Sequence, residues 1–259
     1  MNPRTIWTVF RFECGRAVTF ARLSVWVLLG VFPATLLVLV QNNGARLESD
    51  GRAAVAMFIL IPELLCCMNL LLAAAPLIYA ELEGKTWTYL AINPAGKASI
   101  LLGKYCAAVL FTVVVGWFSL AFSLIVAWPD TEPLRVAAVL AILVPLASLV
   151  YGAAYVFIGV IFLRRAMVAA VIYTIISEVL IGFIPALINQ LTMQFHLRSL
   201  LAKWIGWGLI ADPLRMNQQF VSDAPAWQHV VFLLGAAIVF LTGAITLLRR
   251  RELTLSVEV

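Results

Sequence analysis

Long apolar stretches separated by short polar connections dominate the hydrophobic pattern of this chain. Most of them approach or exceed about 20 residues, the length that a helix needs to cross a bilayer. The pattern predicts six transmembrane helices, over about 25–40, 53–77, 100–128, 134–163, 166–188 and 230–248. We therefore expect an all-α, polytopic membrane protein in which residues 1–259 form a single transmembrane domain.

Two segments beside these spans mix polar and aromatic residues, a pattern typical of helices at a membrane surface. Residues 1–24 interleave four arginines with apolar side chains, which predicts an amphipathic interfacial helix rather than a signal peptide. Residues 189–229 hold three tryptophans and two prolines, which predicts short interfacial or re-entrant helices on the outer side. The sequence leaves open whether this outer segment is a lid packed on the bundle or a gate for substrate.

Composition narrows the class of protein further. The chain is 63% hydrophobic and 12% charged, whereas a soluble domain is roughly half apolar and about a quarter charged. A soluble globule, a disordered chain, a collagen-like chain and a nucleic-acid-binding protein are therefore excluded. With both termini in the cytoplasm, twelve of the 18 basic residues fall on the cytoplasmic side, as the positive-inside rule requires. We expect a multi-pass protein of the inner or plasma membrane.

The sequence contains no complete motif of an enzyme or a cofactor site. Gly84, Lys85 and Thr86 have the end of a phosphate-binding loop, but Tyr79 stands where that motif needs its first glycine. The four cysteines lack zinc spacing, and the two histidines are far apart in the chain. We expect no catalytic, cofactor-binding or metal-binding residues, and no enzyme activity in this chain.

Glu63, Asn69 and Glu178 are the polar residues that the predicted spans supply for a site near the middle of the membrane. Glu63 lies about ten residues into its span, or about 15 Å, which is near the bilayer centre. A charge at that depth is costly unless it is paired or faces water. The three are candidates for a translocation path. The alternatives for the glutamates are a protonated side chain that bonds a neighbouring helix, and proton coupling.

The polar region 78–99 joins the second and third spans. Its sequence ELEGKTWTYLAINP predicts a short amphipathic helix over 81–94, which Asn93 and Pro94 end. Ser99 is expected to cap the following helix. A mixed-charge helix on the cytoplasmic side can dock into a groove on a soluble partner and pass its motion into the membrane. The predicted helix over 81–94 therefore has the properties of a coupling helix.

This region resembles the permease subunits of ABC-2-type transporters. The matching positions are Glu81, Glu83, Gly84, Thr86, Leu90, Pro94, Lys97, Ile100, Leu101, Leu102, Gly103 and Lys104. Three positions depart from the family pattern: Leu82 replaces an arginine, Lys85 a glycine and Gly96 a serine. Residues 151–185 are also similar to the fourth and fifth spans of a family subgroup that carries a glutamate in the fifth.

The resemblance implies a transport subunit, most often an exporter, without its own ATPase. Its partners are then two separate cytoplasmic ATP-binding subunits, which hold ATP and magnesium, a second permease copy (identical or not) and membrane lipid. It implies no nucleic acid. The residues that the resemblance assigns to ATPase coupling are Glu81, Glu83, Gly84, Lys85, Thr86, Leu90, Pro94 and Lys97. The substrate does not follow from the family.

Two other hypotheses stay open on the sequence. The chain is a membrane scaffold or assembly subunit that anchors a larger complex without moving a substrate, or it is an intramembrane enzyme. The scaffold predicts normal function when the partner's ATP hydrolysis is abolished. The enzyme predicts that Glu63→Gln or Glu178→Gln abolishes a reaction of the purified chain alone.

Overall fold

The computed structural model describes residues 3–17, 19–42, 50–84, 96–126, 132–181, 187–206 and 224–250. Across these ranges 95% of the residues are helical and no strand occurs. The predicted all-α class is confirmed.

Ten α-helices account for most of the described chain. They are α1 (Pro3–Ala17), α2 (Phe20–Asn42), α3 (Asp50–Phe58), α4 (Cys66–Ala74), α5 (Leu77–Glu83), α6 (Gly96–Val126), α7 (Pro133–Ile161), α8 (Ala166–Thr174), α9 (Met193–Ile205) and α10 (Ala226–Arg250). Two π-helical segments follow α3 and α8, at Ile59–Leu65 and Ile175–Leu180. Two 3₁₀ turns cover Leu163–Arg165 and Leu187–Leu191.

Four continuous helical stretches of the described chain are long and apolar enough to cross a membrane: Ala53–Glu83, Gly96–Val126, Pro133–Ile161 and Ala226–Arg250. A shorter apolar stretch, Ser24–Val40, lies within α2. Within the predicted fifth span, 166–188, the structure describes α8 and the second π-helical segment, and residues 182–186 lie outside the described residues. A multi-pass architecture is thus supported, whereas the number six stays a prediction.

The second span extends further than its predicted end at residue 77. The chain continues from α4 through Pro76 into α5 and ends at Glu83. Proline is tolerated at the start of a helix because no helical partner is needed there for its missing N–H. Ser99 was expected to cap α6, but α6 begins three residues earlier and Ser99 is buried inside it.

The central helix is α7, which packs against α4, α6, α8, α9 and α10. Its side chains Tyr151 and Tyr155 are almost fully buried. Gly159 lets the helix approach the turn between α4 and α5, because a Cβ there would lie 2.2 Å from the carbonyl oxygen of Ala75. The turn that interrupts the second span is therefore held directly against the centre of the bundle.

The N-terminal helix α1 lies along the first part of α6. Gly103 of α6 permits the contact, since a Cβ there would lie 2.8 Å from Val9 and 2.9 Å from the carbonyl oxygen of Ile6. The opposite side of α1 exposes Trp7 and Phe12. The helix covers Pro3–Ala17 of the predicted 1–24, and residues 20–24 belong to α2 instead. Its place in a membrane interface stays a prediction.

The helix α9 lies between α7 and α10, and ten of its side chains are buried. It begins just after Thr192, whose hydroxyl oxygen accepts a hydrogen bond from the backbone N–H of Phe195, as an N-cap does. It ends at Gly206, whose φ of 102° suits glycine. Part of the predicted outer segment is thus built into the bundle.

Candidate functional site: a buried cluster of two glutamates

Both glutamates of the predicted spans lie in π-helical segments. Glu63 belongs to Ile59–Leu65, where Pro62 cannot donate a backbone hydrogen bond. Glu178 belongs to Ile175–Leu180, which contains no proline. Single π-helical turns inside α-helices are rare, and many of them occur at functional sites. Two such turns, each carrying a glutamate, mark this part of the bundle as unusual.

Gln194 at the start of α9 contacts both glutamates. Its side-chain amide donates to Oε2 of Glu63 at 2.8 Å, and its backbone N–H donates to Oε2 of Glu178 at 3.0 Å. The two carboxylates come from segments that are more than 100 residues apart in the chain. A single residue therefore joins the two π-helical segments into one polar cluster.

The same helix supplies a positive charge to this cluster. Nε of Arg198 lies 3.2 Å from Oε1 of Glu63, and the two side chains are only 13% and 10% exposed. Arg198 is one turn after Gln194, so both residues reach Glu63 from one face of α9. A buried ion pair of this kind is costly to break, because the remaining charge is left without a partner.

Glu178 is held from a second side by α7. The hydroxyl of Tyr151 donates to its Oε2 at 3.1 Å, and the ring of Tyr151 stacks with that of Tyr155 at a centroid distance of 6.4 Å. The Tyr155 hydroxyl lies 2.7 Å from both the Thr174 hydroxyl and the Cys67 sulfur. Polar groups thus continue beyond the carboxylates toward α4 and α8.

One acceptor in the cluster has no partner among the described residues. Oε1 of Gln194 is buried and accepts no hydrogen bond from the residues that the structure describes. Buried polar atoms are nearly always bonded, so an orphaned one needs an explanation. Together with the two carboxylates, it makes the cluster rich in acceptors and suited to a group that donates hydrogen bonds.

Asn69, the third predicted path residue, lies apart from this cluster. Its side-chain amide donates to the Thr112 hydroxyl on α6 at 2.9 Å, and that hydroxyl in turn donates to the carbonyl of Ala108. The structure therefore brings Glu63 and Glu178 together through Gln194 and places Asn69 between α4 and α6. The roles of Gln194 and Arg198 were missed, because polar residues in the mixed outer segment gave no sign that they fold inward.

The residues predicted for ATPase coupling are described only in part. Glu83 and Gly84 are exposed at the end of α5, and Lys97 is half-buried at the start of α6. Glu81 is 6% exposed. Lys85, Thr86, Leu90 and Pro94 lie outside the described residues.

Glu81 takes part in an ion network that ties three helices together. Its carboxylate contacts Nζ of Lys104 on α6 and lies 3.7 Å from Arg16 of α1. Lys104 also lies 2.7 Å from Glu13 of α1. The end of α5 is thus fixed to α1 and α6. Glu13 and Arg16 were missed because the sequence gave the N-terminal helix no partner.

The two histidines, which are distant in sequence, meet in the structure. Nδ1 of His196 lies 2.8 Å from Nδ1 of His229, and Nε2 of His196 lies 2.8 Å from the carbonyl oxygen of Gln190. The pair joins α9 to α10. Within the described residues, no group of three or more His, Cys, Asp or Glu side chains is arranged to hold a metal ion.

Comparison with family models shows to which family the chain belongs. The family model described as ABC-2 family transporter protein matches residues 17–205, which is well over half of the chain. The chain belongs to the ABC-2 transporter family. The match includes Glu63, Glu178, Gln194 and Arg198. No curated protein matches the chain.

Membership in the ABC-2 family fixes the general nature of the protein. It is a membrane permease of the ABC transporter type, and its apolar helices agree with a multi-pass membrane protein. Permeases of this family are generally non-enzymatic transmembrane subunits that work with ABC ATP-binding subunits.

Proposed function

We propose that this ABC-2 protein is the permease subunit of an ATP-driven exporter. Separate cytoplasmic subunits bind ATP and magnesium and hydrolyse the nucleotide, and the permease carries the substrate. The observation that carries the proposal is the family match over residues 17–205, which contains the buried two-glutamate cluster. Export is the direction implied by the resemblance in the coupling region.

The proposed contact with the ATP-binding subunit begins at the end of α5. Both chain termini then lie in the cytoplasm. The proposed coupling residues are Glu81, Glu83, Gly84, Lys85, Thr86, Leu90, Pro94 and Lys97. The exposure of Glu83 and Gly84 is consistent with a docking surface. The ion network supports transmission, since displacement of α5 pulls on Lys104 and Glu13 and hence on α6 and α1.

The proposed substrate path passes the two-glutamate cluster. Glu63 and Glu178 offer carboxylate oxygens, and Arg198 holds Glu63 in place. Gln194 offers an amide oxygen that accepts no hydrogen bond from the described residues. Such a set favours a substrate with hydrogen-bond donors. Asn69, whose amide donates to Thr112, stays a proposed path residue outside this cluster.

A second permease copy, identical or not, completes the proposed transporter. The helix α10 is the least buried of the four long apolar stretches, and it exposes Ile238 and Val239. An apolar face of this kind suits either lipid or another permease. The proposed location is the inner or plasma membrane.

Affinity purification together with the ATP-binding protein encoded beside this chain tests the proposal. We expect one complex that contains both subunits and that loses its cellular function when the partner can no longer hydrolyse ATP. The double variant Glu83→Ala, Thr86→Ala is expected to weaken the complex. Glu132→Ala, at an exposed position on the far end of α7, is the matched control.

Two outcomes would reject the proposal. A purified complex without any ATP-binding subunit would remove the energy source. Normal function with a hydrolysis-deficient partner would favour the membrane scaffold instead.

A further inference from the structure

A cavity of about 360 Å³ lies between α2 and the α4–α5 and α6 helices, beneath the end of α1. It exists because α2 packs on α6 and reaches the first π-helical segment but has at most marginal contact with α4. The cavity is separate from the two-glutamate cluster, whose residues do not line it.

Four charged side chains line one end of the cavity: Glu13, Arg16, Glu81 and Lys104. They comprise two carboxylates and two cations, so this end carries no net formal charge. Lys104 forms ion pairs with both Glu13 and Glu81, and the side chains of Lys104 and Glu81 are mostly buried. A ligand group with one positive and one negative charge matches such an arrangement better than an anion or a cation alone.

Apart from Asn69, whose amide donates to Thr112, the rest of the cavity is lined by apolar side chains. Trp26 of α2 stacks on Phe111 of α6 with ring centroids 4.6 Å apart, and Leu29 and Leu72 line the same space. From Lys104 to Phe111 the wall is about 10 Å long at 1.5 Å per residue. Leu72 is 49% exposed, so the apolar part opens sideways, toward the lipid that surrounds a multi-pass protein.

We propose that this cavity binds a single zwitterionic glycerophospholipid from the surrounding bilayer. The ammonium group of the lipid contacts Glu13 and Glu81, its phosphate contacts Arg16 and Lys104, and one acyl chain lies against Trp26 and Phe111. An apolar wall that ends in a balanced set of charges reproduces the order of groups in such a lipid. The lateral opening lets it enter from the membrane.

The bound lipid touches the ion network that joins α1, α5 and α6. It also fills the space between α2 and α4. The inference does not depend on the proposed transport function, because lipid binding is measured without ATP or a partner subunit.

Photolabelling in vesicles tests the inference. The probe is phosphatidylethanolamine with a diazirine in one acyl chain, and labelled peptides are identified by mass spectrometry. We expect labelling of α2, α4 and α6 around the cavity. Ala73→Phe, at an exposed alanine that lines it, fills the apolar part. It should lower this labelling about tenfold, as expected when about two methylene groups of the chain no longer fit.

Ala138→Phe is the matched control, because Ala138 is exposed on α7 and does not line the cavity. It should leave the labelling unchanged. Phosphatidylglycerol with the same diazirine chain should label the cavity several-fold less, since its headgroup carries only the negative charge.

Two results would overturn the inference. Unchanged labelling of Ala73→Phe would show that the acyl chain lies elsewhere. Equal labelling by the anionic probe would show that the four charged residues do not select a zwitterion. Circular dichroism and gel filtration of each variant establish that it is folded before labelling.

Discussion

The side-chain amide of Gln194 donates a hydrogen bond of 2.8 Å to Glu63, a residue 131 positions earlier in the chain. Because the backbone N–H of Gln194 also bonds Glu178, α9 is tied to both π-helical segments. A shift of α9 changes the surroundings of both carboxylates at once. This gives the permease a way to link movement of one short helix to a buried polar site.

Loss of the arginine in this cluster should destabilise the protein strongly. Arg198→Ala leaves Glu63 buried without its cation, which costs about 3–5 kcal/mol for pairs of this kind. The prediction is a clearly lowered unfolding midpoint of the purified protein, measured by intrinsic fluorescence during heating.

The chain offers a matched control at Arg135. This arginine pairs with Glu132 at 2.9 Å, but both side chains are about half exposed. Arg135→Ala should cost less than about 1 kcal/mol from that ion pair. Its further bond to the carbonyl of Trp204 adds a solvent-exposed hydrogen bond of similar size. Equal midpoints for the two variants would contradict a buried pair at Glu63.

The contacts of Glu178 predict different effects for two substitutions. Glu178→Ala leaves the Tyr151 hydroxyl and the Gln194 N–H without an acceptor, each of which costs about 1–3 kcal/mol when buried. Glu178→Gln keeps one acceptor oxygen and should be milder in the same heating assay. If Glu178→Ala unfolds at the wild-type temperature, the hydrogen bonds to Glu178 are not formed.

The sequence predicted the class of fold and most of the long helices, because apolar stretches of that length have few alternatives. For the same reason it predicts a membrane position for Glu63 and Glu178, which stays a prediction. It did not predict that they lie in π-helical segments, since only Pro62 marks the first and no residue marks the second. Partners such as Gln194 and Arg198 depend on how α9 packs, which periodicity does not reveal.

Close packing at Gly159 gives a second test of the fold. Gly159→Ala places a methyl group against the carbonyl oxygen of Ala75, and overpacking of this kind costs about 1–3 kcal/mol. Gly235→Ala in α10 meets open space and should instead stabilise that helix by up to about 1 kcal/mol. The thermal unfolding midpoints of both variants, compared with the wild type, test these two predictions. A neutral Gly159→Ala would contradict the contact between α7 and the α4–α5 turn.

The ion network predicts that Lys104 holds α1 in place. Lys104→Ala leaves the carboxylates of Glu13 and Glu81 without their shared cation and should loosen α1 from α6. The reporter is the half-buried Cys14 of α1. Burial, and to a lesser degree Glu13, raises the pKa of its thiol, so it should react slowly with maleimide in the wild type.

Faster maleimide labelling of Cys14 is therefore expected in Lys104→Ala, since undocking exposes the thiol and favours its thiolate. Lys104→Arg keeps the charge and should label close to the wild-type rate. Equal rates for Lys104→Ala and the wild type would show that α1 is held by its apolar contacts alone.

The coupling region shows where sequence reasoning was strongest and where it was incomplete. The resemblance from Glu81 to Lys104 predicts the family that the match over residues 17–205 shows. The two ends of that resemblance, Glu81 and Lys104, prove to contact each other. Spacing in the sequence does not reveal this contact, which depends on how α5 packs against α6.

Site-specific photocrosslinking tests the central claim, that an ATP-binding subunit docks at the end of α5. Benzoylphenylalanine replaces Glu83 in one variant and Glu132 in the other. Both positions are exposed. Glu132 directly precedes α7, whose opposite end contacts α5. Because α7 is about 43 Å long, the two positions are far apart. Position 83 is predicted to capture the ATP-binding subunit, and position 132 to capture none. Capture from position 132, or from neither position in an active complex, would contradict the account.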